Sequence, residues 1–129
     1  MKIQESAENY LETILVLSQK KGAVRSVDIA LELEYTKPSV SVAMKNLRAS
    51  GHIVVDADGF ITLTESGRFI AETVYERHKI LSDCLIALGV DEKTALEDAC
   101  RIEHVISEQS FEKISESFKR WRQGKDKTI

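Results

Sequence analysis

The chain has 129 residues, enough for one domain or two very small ones. Its composition, 43% hydrophobic and 30% charged, is that of an ordinary globular protein, and no apolar run approaches the ~18 residues that a membrane span needs. Acidic side chains outnumber basic ones 21 to 18, for a net charge of −3, which excludes a chain-wide polycation and leaves only local basic patches to consider.

Ser6 is placed to cap a first helix running to about Lys20, with Ala7, Tyr10, Leu11, Ile14, Leu15 and Leu17 at helical spacing and Gly22 as its stop. Ser26 opens a short second helix through Ile29, Ala30 and Leu33. Glu34-Tyr35-Thr36 is a tight connector. Thr36 caps a third helix that tolerates Pro38 in its first turn, buries Val40, Ala43, Met44 and Leu47, and ends at Ser50-Gly51. Two short strands follow, 53–55 and 60–63, joined by the turn Asp56-Ala57-Asp58-Gly59. Thr64 caps a long helix to about Leu88, with Phe69, Ile70, Val74, Ile80, Leu81, Cys84, Leu85 and Leu88 as its apolar positions and Cys84 read as core. Asp91 opens another helix, carrying Ala95, Ala99, Ile102, Val105 and Ile106. A last amphipathic helix holds Phe111, Ile114, Phe118 and Trp121, and residues 123–129 are expected to fray.

Helix, short helix, tight turn, helix and hairpin is the order of a winged helix-turn-helix. Between Lys20 and Arg48 stand six basic residues (Lys20, Lys21, Arg25, Lys37, Lys45, Arg48) against three acids, so the positive segment coincides with the expected reading head. The candidate DNA-binding residues are Arg25, Ser26, Thr36, Lys37, Pro38, Ser39, Ser41, Val42, Lys45 and Arg48. Short hydroxyl side chains let a helix approach base edges, and flanking cations hold phosphates. The hairpin tip is acidic, at Asp56 and Asp58, so weak wing contact with DNA is expected.

The second constellation is Cys100-Arg101-Ile102-Glu103-His104. On a helix, the thiol, carboxylate and imidazole at i, i+3 and i+4 share one face and form a partial shell for a divalent transition metal. Taken singly, Cys100 also reads as core filler beside the apolar stripe, and His104 as a surface or structural residue. Asn9 and Glu12, three apart on the first helix, read either as an ordinary polar face or as the remaining ligands. His78 alone reads equally as surface. Two cysteines in a reducing compartment argue against a structural disulfide. Met1 to Ser6 is polar and shows no signal-peptide pattern, so a cytoplasmic location is expected.

These stretches together resemble the diphtheria-toxin-repressor type (DtxR/MntR) of metal-dependent transcriptional regulators. The likeness is carried in order by Ala7-Glu8-Asn9-Tyr10-Leu11-Glu12, Asp28-Ile29-Ala30, Lys37-Pro38-Ser39-Val40-Ser41, Leu63-Thr64-Glu65-Ser66-Gly67, Arg77-His78-Lys79-Ile80-Leu81, Leu88-Gly89-Val90-Asp91 and Ala99 through Ser107. The resemblance implies a mainly α fold: a winged helix-turn-helix DNA-binding domain over 1–63 and a helical dimerisation and metal-binding domain over 64–129, the short form without an SH3-like domain. It implies a homodimer on double-stranded operator DNA, with no membrane and no small organic substrate, repressing iron or manganese homeostasis genes when metal is bound. It places the principal metal site at Cys100, Glu103 and His104, with Asn9 and Glu12 from the first helix and His78 at a neighbouring position.

Departures refine the expectation. Asn9 falls where iron-type members have Met and manganese-type members Asp. Leu96 and Ser82 stand where an iron-type ancillary site has a His and a Glu, and Cys100 stands where the manganese type has a carboxylate. The thiolate favours Fe²⁺ first and Mn²⁺ second, with other divalent ions possible, and proton competition for thiolate and imidazole should weaken activation at low pH. Competing readings are a metal-independent winged-helix regulator sensing oxidant or an organic ligand, a small metallo-hydrolase, for which no hydrolase motif is present, and a plain interaction module, which leaves the ligand trio unexplained.

Overall fold

The computed structural model describes the backbone of residues 3–128 and the side chains of residues 6–124. In chain order it contains α1 (Ile3–Lys21), α2 (Ser26–Leu33), α3 (Lys37–Ala49), β1 (Ile53–Val55), β2 (Ile61–Leu63), α4 (Glu65–Ala87), α5 (Glu92–Val105) and α6 (Glu108–Thr128). The chain divides into two units, 1–74 and 75–129, with the division falling inside α4.

In the first unit, α1 begins at Ile3, so Ser6 lies within its opening turns and not at its cap. Gln4 and Glu5 are good helix formers and carry the helix back past the serine. Its inward face is Tyr10, Leu11, Ile14, Leu15 and Leu17, and Gly22, at φ +84, donates its N–H to the Ser18 carbonyl at 2.9 Å to end it. The helix-turn-helix bend is made by Glu34, whose backbone is left-handed at φ 58, and the Tyr35 N–H closes the turn onto the Ala30 carbonyl at 3.1 Å. The Thr36 hydroxyl caps α3 by accepting the Ser39 N–H at 3.3 Å. Ile29, Val40, Met44 and Leu47 then face the α1 stripe across one apolar core, joined by Val24, Ile53, Ile61, Leu63 and Ala71.

β1 and β2 pair antiparallel in the register Ile53↔Leu63, Val54↔Thr62, Val55↔Ile61, which turns Ile53, Ile61 and Leu63 inward and leaves Val54 and Thr62 outside. The Ile61 N–H also reaches the Val24 carbonyl at 2.7 Å, fastening the hairpin to the segment ahead of α2. At the tip, one of the two acids has a local task. The Asp56 carboxylate accepts the N–H groups of Asp58 and Phe60, both at 2.9 Å.

Lys21 and Asp28 join the end of α1 to α2 through an ion pair of 2.6 Å, and Asp28 also accepts the Arg25 N–H at 2.8 Å. The Lys21 hydrogen bond, followed by that from Arg25, holds the Asp28 carboxyl below its ordinary value of 3.8. A carboxyl depressed in the folded state contributes stability above its unfolded pKa, and that contribution disappears as pH falls through the folded value. Asp28→Asn should therefore be less stable than the parent near neutrality, by a fraction of a kcal/mol because the pair is solvent-accessible. The gap should close below pH 3.8. Urea unfolding of both proteins across that range checks it.

Across α4 and the second unit the apolar expectation needs four corrections. Phe69 (72% exposed), Leu88 (77%), Val105 (77%) and Trp121 (47%) are outward, not core. The phase of α4 is set by small residues, Gly67 and Ala71, followed by Val74. Phe69 sits about 200° around the helix from Ala71 at 100° per residue. Leu88 lies past the end of α4, and Val105 is opposite the buried line Ala95, Ala99, Glu103 on α5. Cys84, read as core, is only half-buried. The Arg77 guanidinium links α4 to the other two helices of this unit, through the Ile106 carbonyl at 3.4 Å and over the Phe111 ring at 5.0 Å. The expected fraying from residue 123 is not seen, since α6 continues to Thr128. Ile129 and the side chains of 125–129 lie outside the described residues.

Candidate metal centre and nucleic-acid interface

α5 is built to present its last two turns. Asp91 caps it, accepting the Thr94 N–H at 3.0 Å and the Thr94 hydroxyl at 2.9 Å, and these bonds lower the Asp91 carboxyl below its usual value. Ala95 and Ala99 are fully buried, and their small side chains set the inward line that Glu103 continues at i+4. Glu103 is thus inside the stripe: an acid at 4% exposure where an apolar residue would ordinarily stand. Cys100 and His104 flank it, both half-buried.

The thiol sulfur, a Glu103 oxygen and a His104 ring nitrogen all lie within 4.8 Å of one another. His104 Nε2 is 3.6 Å from Glu103 Oε1, with side-chain exposures of 6% and 1%. A desolvated carboxylate is costly unless positive charge faces it. The site also sits in the last turn of α5, where the carbonyl end of the helix favours a cation. Sulfur, oxygen and nitrogen donors at this spacing fit a divalent transition ion.

His78, on α4, is half-buried. Its Nε2 is 3.1 Å from the Leu96 carbonyl oxygen of α5. That contact, with Nε2 donating to the carbonyl, orients the ring. A ring nitrogen of His78 also lies within 4.8 Å of a Glu103 oxygen. Leu96 and Ser82, the two departures from the iron-type ancillary site, offer no metal-ligating side chain: Leu96 contributes its carbonyl to His78, and the Ser82 hydroxyl donates to the Lys79 carbonyl at 3.1 Å. Asn9 and Glu12 are half-buried, three apart on α1 in the first unit.

The candidate nucleic-acid surface is on the first unit. Thr36, Lys37, Pro38, Ser39, Ser41, Val42, Lys45 and Arg48 are all exposed on or beside α3, opposite its buried Val40, Met44 and Leu47. The Thr36 hydroxyl donates to Ser39 Oγ at 2.8 Å, so the cap and the first-turn serine are held together. Val42, 60% exposed, offers an apolar contact of the kind that suits a thymine methyl. Arg25 is exposed and Ser26 half-buried where α2 begins. The structure adds a residue that sequence reasoning missed: Phe60, whose ring centroid is 4.3 Å from the Arg25 guanidinium carbon. No local spacing links these two positions, so no periodicity signal could have found the pair.

Comparison with known proteins agrees with this division of labour. Residues 2–59 match the family model "Iron dependent repressor, N-terminal DNA binding domain", and residues 64–125 match "Iron dependent repressor, metal binding and dimerisation domain". An uncharacterized HTH-type transcriptional regulator of Methanocaldococcus jannaschii is 33% identical over 114 residues, covering 87% of this chain and 91% of that one. The HTH-type transcriptional regulator MntR of Shouchella clausii is 34% identical over 111 residues, covering 86% and 78%. A solved manganese-dependent transcriptional repressor in complex with manganese superposes with a TM-score of 0.79 at 25% identity over 86% of this chain. This chain spans about half, 51%, of the length of that one.

Proposed function

This chain belongs to the iron-dependent repressor family of metal-dependent transcriptional regulators, and we propose that it represses iron or manganese homeostasis genes by gripping operator DNA when its α5 ligand set is loaded. The observation that carries the reading is the convergence of Cys100, Glu103 and His104 within 4.8 Å around a buried carboxylate, on a chain whose other half exposes a proline-started basic helix. Cys100, Glu103 and His104 are the principal ligands. Asn9 and Glu12 complete the shell from α1, and His78 serves a weaker neighbouring position. Half-burial and i, i+3 spacing on one helix face support the α1 pair, as does their place in the family pattern.

When bound, a divalent cation supplies the positive charge and coordination bonds that this donor set is arranged to receive. Fe²⁺ ranks first by the softness of the Cys100 thiolate and Mn²⁺ second. With ligands drawn from both α1 and α5, closing the shell selects one arrangement of the reading heads in a homodimer, so that two copies of α3 meet successive major-groove half-sites. Lys37, Lys45, Arg48 and Arg25 hold backbone phosphates, while Ser39, Ser41 and Val42 approach base edges. Functional division at 63/64, action in the cytoplasm and the absence of catalytic turnover are part of the same proposal. Among the described residues no helix is long and apolar enough to cross a membrane.

Demetallated protein titrated onto the DNA upstream of its own gene, at fixed salt, tests this. Adding Mn²⁺, Co²⁺, Zn²⁺ or anaerobic Fe²⁺ should tighten binding by about 5–150-fold, the usual span of a coupling of 1–3 kcal/mol, and chelator should reverse it. Binding that ignores metal and chelator but responds to peroxide would replace this reading with the oxidant-sensing regulator.

A further inference from the structure

The hairpin carries an aromatic ring, Phe60, in contact with an exposed cation, Arg25. The peptide group that leads into Arg25 is held at both of its polar atoms. The carbonyl of Val24 accepts the Ile61 N–H at 2.7 Å, and the Arg25 N–H donates to Asp28 Oδ2 at 2.8 Å. The Arg25 guanidinium lies 4.3 Å from the centroid of Phe60 while the residue stays exposed. Phe60 is held in turn by its N–H to Asp56 Oδ1 at 2.9 Å and by its carbonyl, which accepts the Asp56 N–H at 3.0 Å.

We propose that Phe60 is a positioning residue for the operator: its ring orients the Arg25 guanidinium to take a DNA backbone phosphate, and the Asp56 carboxylate builds the turn that sets the ring there. This rests on the operator-binding reading above. A ring covering one face of a guanidinium leaves the edge N–H donors open, and those donors match a phosphate's paired oxygens. Restricting a long, rotamer-rich side chain before contact lowers the entropy lost on binding. The acidic tip is accounted for as well. The Asp56 carboxylate is occupied by two backbone N–H groups of its own hairpin, so its charge belongs to the turn and need not meet DNA.

The test is a double-mutant cycle on the full chain in saturating Mn²⁺, reading operator affinity across a salt series. Arg25→Gln should weaken binding and lower the slope of log affinity against log salt by about 0.9, the signature of one lost phosphate contact. Phe60→Leu should weaken binding about two- to fivefold, the range of an exposed cation–π contact, and Phe60→Tyr should restore it. In the Arg25→Gln background Phe60→Leu should have no further effect. Should Phe60→Leu disrupt the wing, Arg25→Lys closes the argument from the other side. It keeps the charge and loses the stacked plane, so it should bind as weakly as a singly disrupted pair, and parental affinity for it overturns the proposal. Additive effects of the two substitutions, or failure of tyrosine to rescue, overturn the platform alone while the parent still binds metal-dependently. A parent that ignores metal but still shows the cycle overturns the metal-switch reading and leaves the platform standing. A parent that binds no operator overturns both.

Discussion

Glu103→Gln should bring operator affinity in saturating metal down to about the metal-free level, a loss on the order of 5–150-fold. Glu103 occupies a position on the buried line Ala95, Ala99, Glu103, where a side chain of the same shape but apolar would satisfy packing alone. A carboxylate at this position, beside the imidazole of His104 at 3.6 Å, is the group that the proposed site relies on for its charge. Glutamine preserves volume and one oxygen and removes the anion, so the fold persists while cation affinity drops. The metal-free protein should unfold at a temperature equal to or above that of the parent, because a desolvated charge has been removed. The metal-induced stabilisation, about 2.7 kcal/mol at a hundredfold excess over Kd, should vanish. His104→Ala should act in the same direction on both readouts. Thermal unfolding with and without Mn²⁺, alongside operator titration, separates loss of the site from loss of the fold. A Glu103→Gln/His104→Ala protein that still binds operator metal-dependently would falsify the assignment.

The convergence of Cys100, Glu103 and His104 was legible in the sequence because helical geometry alone brings i, i+3 and i+4 to one face, and the capping residues Thr36, Thr64 and Asp91 act where short oxygen side chains precede helices. The reading failed where size was mistaken for burial. Phe69 looked like the core residue of its segment, yet the inward face of α4 is marked by Gly67 and Ala71, because close approach to neighbouring backbone selects the smallest side chains. The same logic hid the depth of Glu103: two alanines at i−8 and i−4 defined the buried line, and large apolar residues nearby, Ile102 and Val105, drew attention to other faces. The Phe60–Arg25 platform could not be read at all, since it depends on how the hairpin folds back onto the segment before α2. The local task of Asp56 was hidden for a related reason. Formal charge counts an acid at the wing tip, whereas the folded turn directs that carboxylate at its own backbone.

Gly67→Ala should be among the most damaging single-methyl changes in the protein. A Cβ at this position would stand 1.9 Å from the His52 carbonyl oxygen and 2.9 Å from its carbon. Both are backbone atoms, so no side-chain rotation relieves the clash. The carbonyl cannot retreat cheaply either, because it accepts the Thr64 N–H at 3.1 Å, and the same junction carries the bonds from the Thr64 hydroxyl to the Gly51 carbonyl at 2.7 Å and from the Gly67 N–H to Thr64 Oγ1 at 3.2 Å. Overpacking against a mobile core typically costs about 1–3 kcal/mol, and a rigid backbone partner puts this site at or above about 3 kcal/mol. Helix propensity, which favours alanine by about 1 kcal/mol in an open helix, works against that loss without cancelling it. The melting temperature should fall by roughly 10 °C or more at the few degrees per kcal/mol typical of a domain this size. Gly59→Ala is the control. Its φ of +85 makes any side chain strained, but nothing lies within 4 Å of the added carbon, so it should cost only about 1–2 kcal/mol. The ordering of the two losses, measured by thermal or urea unfolding of the metal-free protein, is the decisive readout. A Gly67→Ala protein as stable as the parent would mean that α4 can shift away from His52. The start of α4 would then be a compliant joint behind the hairpin, with the His52 carbonyl and its bond from the Thr64 N–H moving with it.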